Sequence, residues 1–267
     1  MDKLKLLSKD ISNLITNFLS LSILQALNIF LPLLTFPYLI RVLEVENFGL
    51  VMFAQSFVYY FAIFIDFGFD YSATREISIN RHDKKKVTEI FSVVLLIKII
   101  FIIISFLILS LILIFINKFH LNSDLYYFSF IYVIGNAMIP VWYFQGHEDM
   151  KYVTYINIIA KGIFTILIFI FIQDSDDYLY VPMLNGFGYI VASVFSMLLI
   201  FKRYKQRFKL YDIQTIIKYL KDSTDYFLSR ISVSMFTSSN VFVLGMFVYM
   251  TTVGYFSVAE KLYNDAA

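Results

Sequence analysis

Apolar residues run along this chain in blocks long enough to cross a lipid bilayer, separated by short polar stretches. A helix needs about 20 predominantly apolar residues to span the hydrocarbon core, and such blocks fall at Phe18–Ile40, Phe48–Phe69, Ile90–Ile116, Leu125–Phe144, Tyr155–Ile172, Tyr178–Phe201 and Thr224–Tyr249. An eighth begins near Val253 and stops at Ala267. Backbone groups in lipid must be satisfied within the segment, and no block alternates as an outer-membrane barrel strand does. The pattern therefore predicts an all-α fold, a polytopic transmembrane helix bundle. The first block outruns the roughly 7–15 apolar residues of a cleavable signal and has no small-residue cleavage site, so it is expected to stay as a helix, bent by Pro32 and Pro37.

The longest polar stretch, from Lys202 to Asp222, carries Ile213, Ile216, Ile217 and Leu220 at helical spacing. It predicts an amphipathic helix lying on the membrane surface. We expect a six-helix transmembrane lobe over 1–201, this linker over 202–222, and the first one and a half helices of a second lobe over 223–267. A weak internal repeat points the same way. An offset of 205 residues brings Leu39 onto Leu244, Gly49 onto Gly254, Ala54 onto Ala259 and Gln55 onto Glu260, the behaviour of a transporter built from two parallel six-helix halves.

Basic residues stay on the cytoplasmic side of a bilayer. Alternate loops hold Lys3, Lys5 and Lys9, then Arg75 to Lys86, then Lys151, then Lys202 to Lys221, whereas the opposite loops hold only Arg41 and Lys118 among cations, together with Asp174, Asp176 and Asp177. The N-terminus is therefore expected in the cytoplasm. A net charge of +2 over 267 residues provides no field for nucleic acid. The absence of cysteine excludes disulfides, thiolate metal sites and cysteine nucleophiles. His82, His120 and His147 form no metal-spacing pair. No phosphate-binding loop or nucleophile elbow occurs, so neither a catalytic site nor a cofactor is expected.

Ionisable residues inside membrane spans are expensive and mark function by default. Lys98, Lys161 and Arg230 lie in the third, fifth and seventh blocks, and Asp66 closes the second. Thr154, Asn157, Lys161 and Thr165 share one helix face, as do Gln55, Tyr59 and Asp66. Arg230 is followed by Ser234, Thr237 and Asn240. These faces predict a hydrated, cationic interior, with Lys161 and Arg230 turned into it. The competing reading is that these cations snorkel to the headgroups, with Lys98 either snorkelling or structurally paired, and that Asp66, near Asp70 and Arg75, forms a structural ion pair. Trp142 is expected to anchor the interface.

Four stretches carry a resemblance: PYLIRVLEVENFGLVMFAQ from Pro37 to Gln55, DFGFDYSATREISINR from Asp66 to Arg81, WYFQGHEDMKY from Trp142 to Tyr152, and VGYFSVAEKLY from Val253 to Tyr263. Together they resemble the Wzx-type polysaccharide flippases of the MATE-like exporter superfamily. That resemblance implies a two-lobe protein of about a dozen helices, of which this chain would be a truncated form. It also implies a bacterial cytoplasmic-membrane location and transfer of undecaprenyl-diphosphate-linked O-antigen or capsule units to the outer leaflet. The implied partners are the lipid-linked oligosaccharide, membrane lipids and polysaccharide polymerase machinery. Arg41, Asp66, Arg75, Lys98, Lys161 and Arg230 are the cavity positions it directs attention to, since cations can pair with a diphosphate. Two alternatives stay open. A MATE-type drug or solute exporter would want an acidic, aromatic cavity. A membrane enzyme of glycan assembly would want a catalytic loop, and Asn117–Asp124 offers only His120 and Asp124.

Overall fold

In the computed structural model the backbone is described for residues 2–266 and side chains for residues 15–261 and 263. The chain is helical almost throughout: α1 (Asp2–Asp66), α2 (Phe69–Asn80), α3 (Lys84–Phe115), α4 (Asn117–His120), α5 (Ser123–Ala137), α6 (Val141–Gly146), α7 (Met150–Phe171), a 3-10 turn (Ser175–Leu179), α8 (Tyr180–Lys202), α9 (Ile213–Thr237), α10 (Asn240–Phe247) and α11 (Met250–Ala266). Five helical runs are long and apolar enough to cross a membrane, or six if α9 and α10, bent by 54°, form one broken span. Large apolar side chains such as Leu107, Leu111, Ile114 and Phe115 of α3 are exposed where only lipid can receive them. This is a multi-pass membrane protein.

Helix α1 would be about 97 Å long if straight, roughly three hydrocarbon cores. It is not straight. Glu44 leaves the helical region at φ 63°, ψ 163°, and the rings of Phe36 and Phe48, which a straight helix would hold about 18 Å apart, meet at 5.7 Å. The chain thus doubles back at Glu44, and the two limbs are the first two predicted spans. Other predicted spans are broken rather than continuous. Leu125–Phe144 becomes α5 and α6, because Pro140 has no N–H to continue the helix, and Thr224–Tyr249 breaks at Ser238 and Ser239.

Two apolar cores hold the bundle. One gathers Leu39, Phe53, Phe57, Tyr126 and Phe130. The other gathers Phe69, Phe91, Tyr143, Ile156 and Trp142. Trp142 is 1% exposed, against the expectation of an interfacial anchor, because α6 turns away from α5 and carries its ring in against Phe91 and Tyr143.

The predicted surface helix over 202–222 is also corrected in form. Residues 203–212 are irregular, because this segment is strapped to other elements instead of bonding along itself. Gln206 Nε2 donates to Thr88 Oγ1 at 2.9 Å and the Lys209 N–H to Ser92 Oγ at 3.0 Å. The Tyr204 phenol donates to Asp149, and burial together with that carboxylate holds the phenol well above its usual range. Helix begins only at Ile213, capped by Asp212, and its apolar side runs without interruption into the seventh block.

Where the second limb of α1 meets α11, the contact is reciprocal. A Cβ on Gly49 would lie 2.0 Å from the Met250 carbonyl oxygen and 2.8 Å from the Gly254 nitrogen, and a Cβ on Gly254 would lie 2.3 Å from the Val45 carbonyl oxygen. Val45 and Met250, like Gly49 and Gly254, are 205 residues apart.

Candidate functional site

Four ionisable side chains from four helices meet in the bundle. Asp66 ends α1. Gly68 (φ 77°) and Phe67 (φ 47°) then break the helix, and Asp70 stands in the first turn of α2. Only glycine serves at position 68, since a Cβ there would also lie 2.7 Å from Cβ of Tyr226 as α9 packs close. Lys98 Nζ donates to Asp66 Oδ1 at 3.0 Å and lies 4.0 Å from Asp70 Oδ1. Arg230 Nη1 donates to Asp66 Oδ2 at 2.9 Å and to Asp70 Oδ2 at 3.1 Å. The formal charges cancel. Neighbouring contacts fasten the same faces: the Ser72 and Ser223 hydroxyls are 2.7 Å apart, and Phe67 stacks on Phe227 at 4.6 Å.

A cavity of 510 Å³ opens between both limbs of α1, α5, α7, α8 and the α9–α11 segment. Its polar lining includes Gln55, Tyr59, Lys161, Asn185 and Glu260. The rings of Tyr132 and Tyr189 meet edge-to-face at 4.7 Å in its wall. Lys161 Nζ donates to Asn28 Oδ1, and among the described residues no carboxylate forms an ion pair with it. Lys261 lines the same cavity close enough to repel it. Glu260 accepts instead from Asn240 Nδ2 at 3.0 Å. The Thr165 hydroxyl is buried here with no hydrogen-bond partner among the described residues. The arrangement favours an anion at Lys161, with hydroxyl-rich groups met by amides and phenols.

A second cavity, of 1030 Å³, lies between α2, α6 and α9. Asp70, Thr74, Arg75, Gln145, Ser229 and Arg230 give it a polar wall. The two cavities have Tyr59 and Thr237 in common, so they are adjacent compartments in series.

The predicted positions therefore separate into three groups. Lys161 lines the smaller cavity, and Arg75 and Arg230 line the larger. Lys98 and Asp66 are buried in the ion network and line neither; Lys98, 3% exposed, does not snorkel. Arg41 is exposed near the Glu44 reversal and lines neither cavity. On α7, Thr154 bonds the Ser20 carbonyl at 2.9 Å and Asn157 its own helix, so only Lys161 and Thr165 of that polar face reach the cavity. Sequence reasoning missed Asp70 as a network member, and it missed Asn185, Tyr132 and Tyr189. A lone amide in the sixth apolar block was a legible signal for Asn185. The two tyrosines had none, being two among 20.

The chain is 29% identical over 248 residues to a protein of Escherichia coli (strain K12) that bears the name "Putative O-antigen transporter", a match covering 93% of this chain and 60% of that protein. A protein of the same name from Shigella dysenteriae is 28% identical over 246 residues, covering 92% of this chain and 62% of its own length. The chain thus spans about three fifths of the curated relatives it matches. No solved structure matches it. Residues 14–265, nearly its whole length, match the polysaccharide biosynthesis protein family, and the chain belongs to that family.

Proposed function

We propose that the protein moves a lipid-linked oligosaccharide, an O-antigen or capsule repeat unit on a polyprenyl diphosphate, across the bacterial cytoplasmic membrane. The observation that carries this reading is Lys161, an ammonium in a membrane helix with no carboxylate pairing it among the described residues, facing a cavity of amides and phenols. A buried charge without a counter-ion is costly, and an anionic headgroup arriving with its substrate offsets that cost. Gln55, Asn185 and the tyrosines suit sugar hydroxyls and ring faces, while the prenyl tail stays in lipid. The names of the two relatives support the substrate class. A drug exporter is the weaker reading, since Lys161 and Lys261 outnumber Glu260 in the cavity.

In this reading the N-terminus is cytoplasmic, as the basic loops favour, and the larger cavity beside Arg75 opens inward. Residues 1–201 form one lobe and 223–267 begin a second, with the reciprocal Gly49–Gly254 contact as support for a repeat about that crossing. A polysaccharide polymerase is the proposed consumer of the delivered units. The test is genetic. In a bacterium lacking its own flippase, an intact full-length gene containing this sequence should restore surface polysaccharide, and Lys161→Ala should cut that rescue at equal protein level. No rescue by an expressed protein with a matched repeat unit would refute the substrate assignment.

A further inference from the structure

The larger cavity contains an anion of the protein's own. Arg230 faces this space, yet its guanidinium is engaged by Asp66 and by Asp70. The two carboxylates are not equivalent: the Asp66 side chain is 10% exposed and the Asp70 side chain 35%. Arg75, one helical turn along α2 from Tyr71, lines the same cavity and has no ion pair or hydrogen bond among the described residues. The cavity thus offers an incoming anion one guanidinium unpaired among the described residues and a second one held by a partly exposed, replaceable partner.

We propose that Asp70 is an intramolecular stand-in for the anionic headgroup: it occupies Arg230 while the larger cavity is empty and yields it to a diphosphate held between Arg230 and Arg75. Lys98 makes the exchange feasible. Its ammonium is 4.0 Å from Asp70 Oδ1, so a carboxylate pushed off Arg230 has another cation within reach and is not left uncompensated. Asp66 stays on both cations and keeps α9 attached. Because the two cavities meet at Tyr59 and Thr237, a headgroup released from Arg230 moves next to Lys161, which no carboxylate pairs with among the described residues. Two anion stations of unequal competition give the directional handover: the first binds weakly enough to let go, the second holds.

This inference rests on the flippase reading for the arrival of a diphosphate, but its test does not need transport. The purified chain in detergent is titrated with inorganic diphosphate. Asp70→Asn should bind about fivefold more tightly than the unaltered chain, the size of effect expected on removing one partly exposed competing ion pair, and Arg75→Gln about fivefold more weakly. Equal or weaker binding by a folded Asp70→Asn overturns the proposal, as does unchanged binding by Arg75→Gln. Should Asp70→Asn not fold, the unaltered chain still decides: infrared difference spectra on adding diphosphate should show an aspartate carboxylate band moving, and a static band overturns the exchange. Failed genetic rescue with this binding intact would instead refute the flippase reading alone.

Discussion

Gly49 and Gly254 cross with no space for a side-chain atom on either, each one's missing Cβ aimed at backbone of the other's helix. Backbone cannot move aside as a flexible side chain can, so an added methyl must push the second limb of α1 away from α11. Gly49→Ala or Gly254→Ala should each destabilise the protein by about 1–3 kcal/mol, the usual cost of overpacking. Both relieve the clash by the same separation, so the double variant should cost less than the sum of the two. Unfolding curves in mild detergent measure all three; full additivity would show that the two glycines do not share one contact.

Lys98 and Lys161 should respond in opposite ways to the same substitution. Lys98→Met leaves Asp66 and Asp70 with one cation between them in a buried site, and breaking such a pair costs about 3–5 kcal/mol. Adding Asp66→Asn should recover part of that loss. Lys161→Met removes an ammonium that no carboxylate pairs with among the described residues, so folding should be unharmed or improved while surface polysaccharide is lost. Denaturation and complementation, run side by side, separate the two; a severe folding defect in Lys161→Met would show that its charge has a structural counter-ion.

Orientation can be read chemically because the chain has no cysteine. Lys84→Cys and Lys205→Cys sit at exposed positions on the basic side, and Asp176→Cys at an exposed position on the other. An impermeant thiol reagent added to intact cells should label position 176 and spare 84 and 205. Labelling of 84 or 205 from outside inverts the topology and would place Arg75 and the larger cavity on the far side.

The spans were legible because hydrophobic length is a one-dimensional property: every predicted block maps onto helix. Breaks were harder to see. Pro140 carried a signal for one, which the continuous Leu125–Phe144 block passed over, whereas the reversal between the first two blocks was expected and only its tightness, a single non-helical residue at Glu44 with helix on both sides, was not. The linker failed for a related reason. Ile213 to Leu220 has helical spacing, but whether 203–212 bonds along itself or to Thr88 and Ser92 is decided by elements more than a hundred residues away. The candidate cations were found by their cost in lipid, which sequence reveals. Which of them already has a partner is a question of packing, and it is the partner that separates Lys98 from Lys161.

The wall shared by the two cavities bears on the membrane's permeability. Tyr59 and Thr237 are the residues the two cavities share; Tyr60, next to Tyr59, donates to Ser239 at 2.8 Å and packs edge-on to Phe242 at 5.5 Å, and Phe57 stacks on the same ring at 5.6 Å, outside both linings. A polar passage wide enough for a sugar would, if continuous, also conduct protons and ions and short-circuit the gradient that the cell lives on. Here the two polar spaces share the side chains of Tyr59 and Thr237, so a file of water running from one to the other has to pass those two groups. Polar space on either side of such a neck is not by itself a conducting pore.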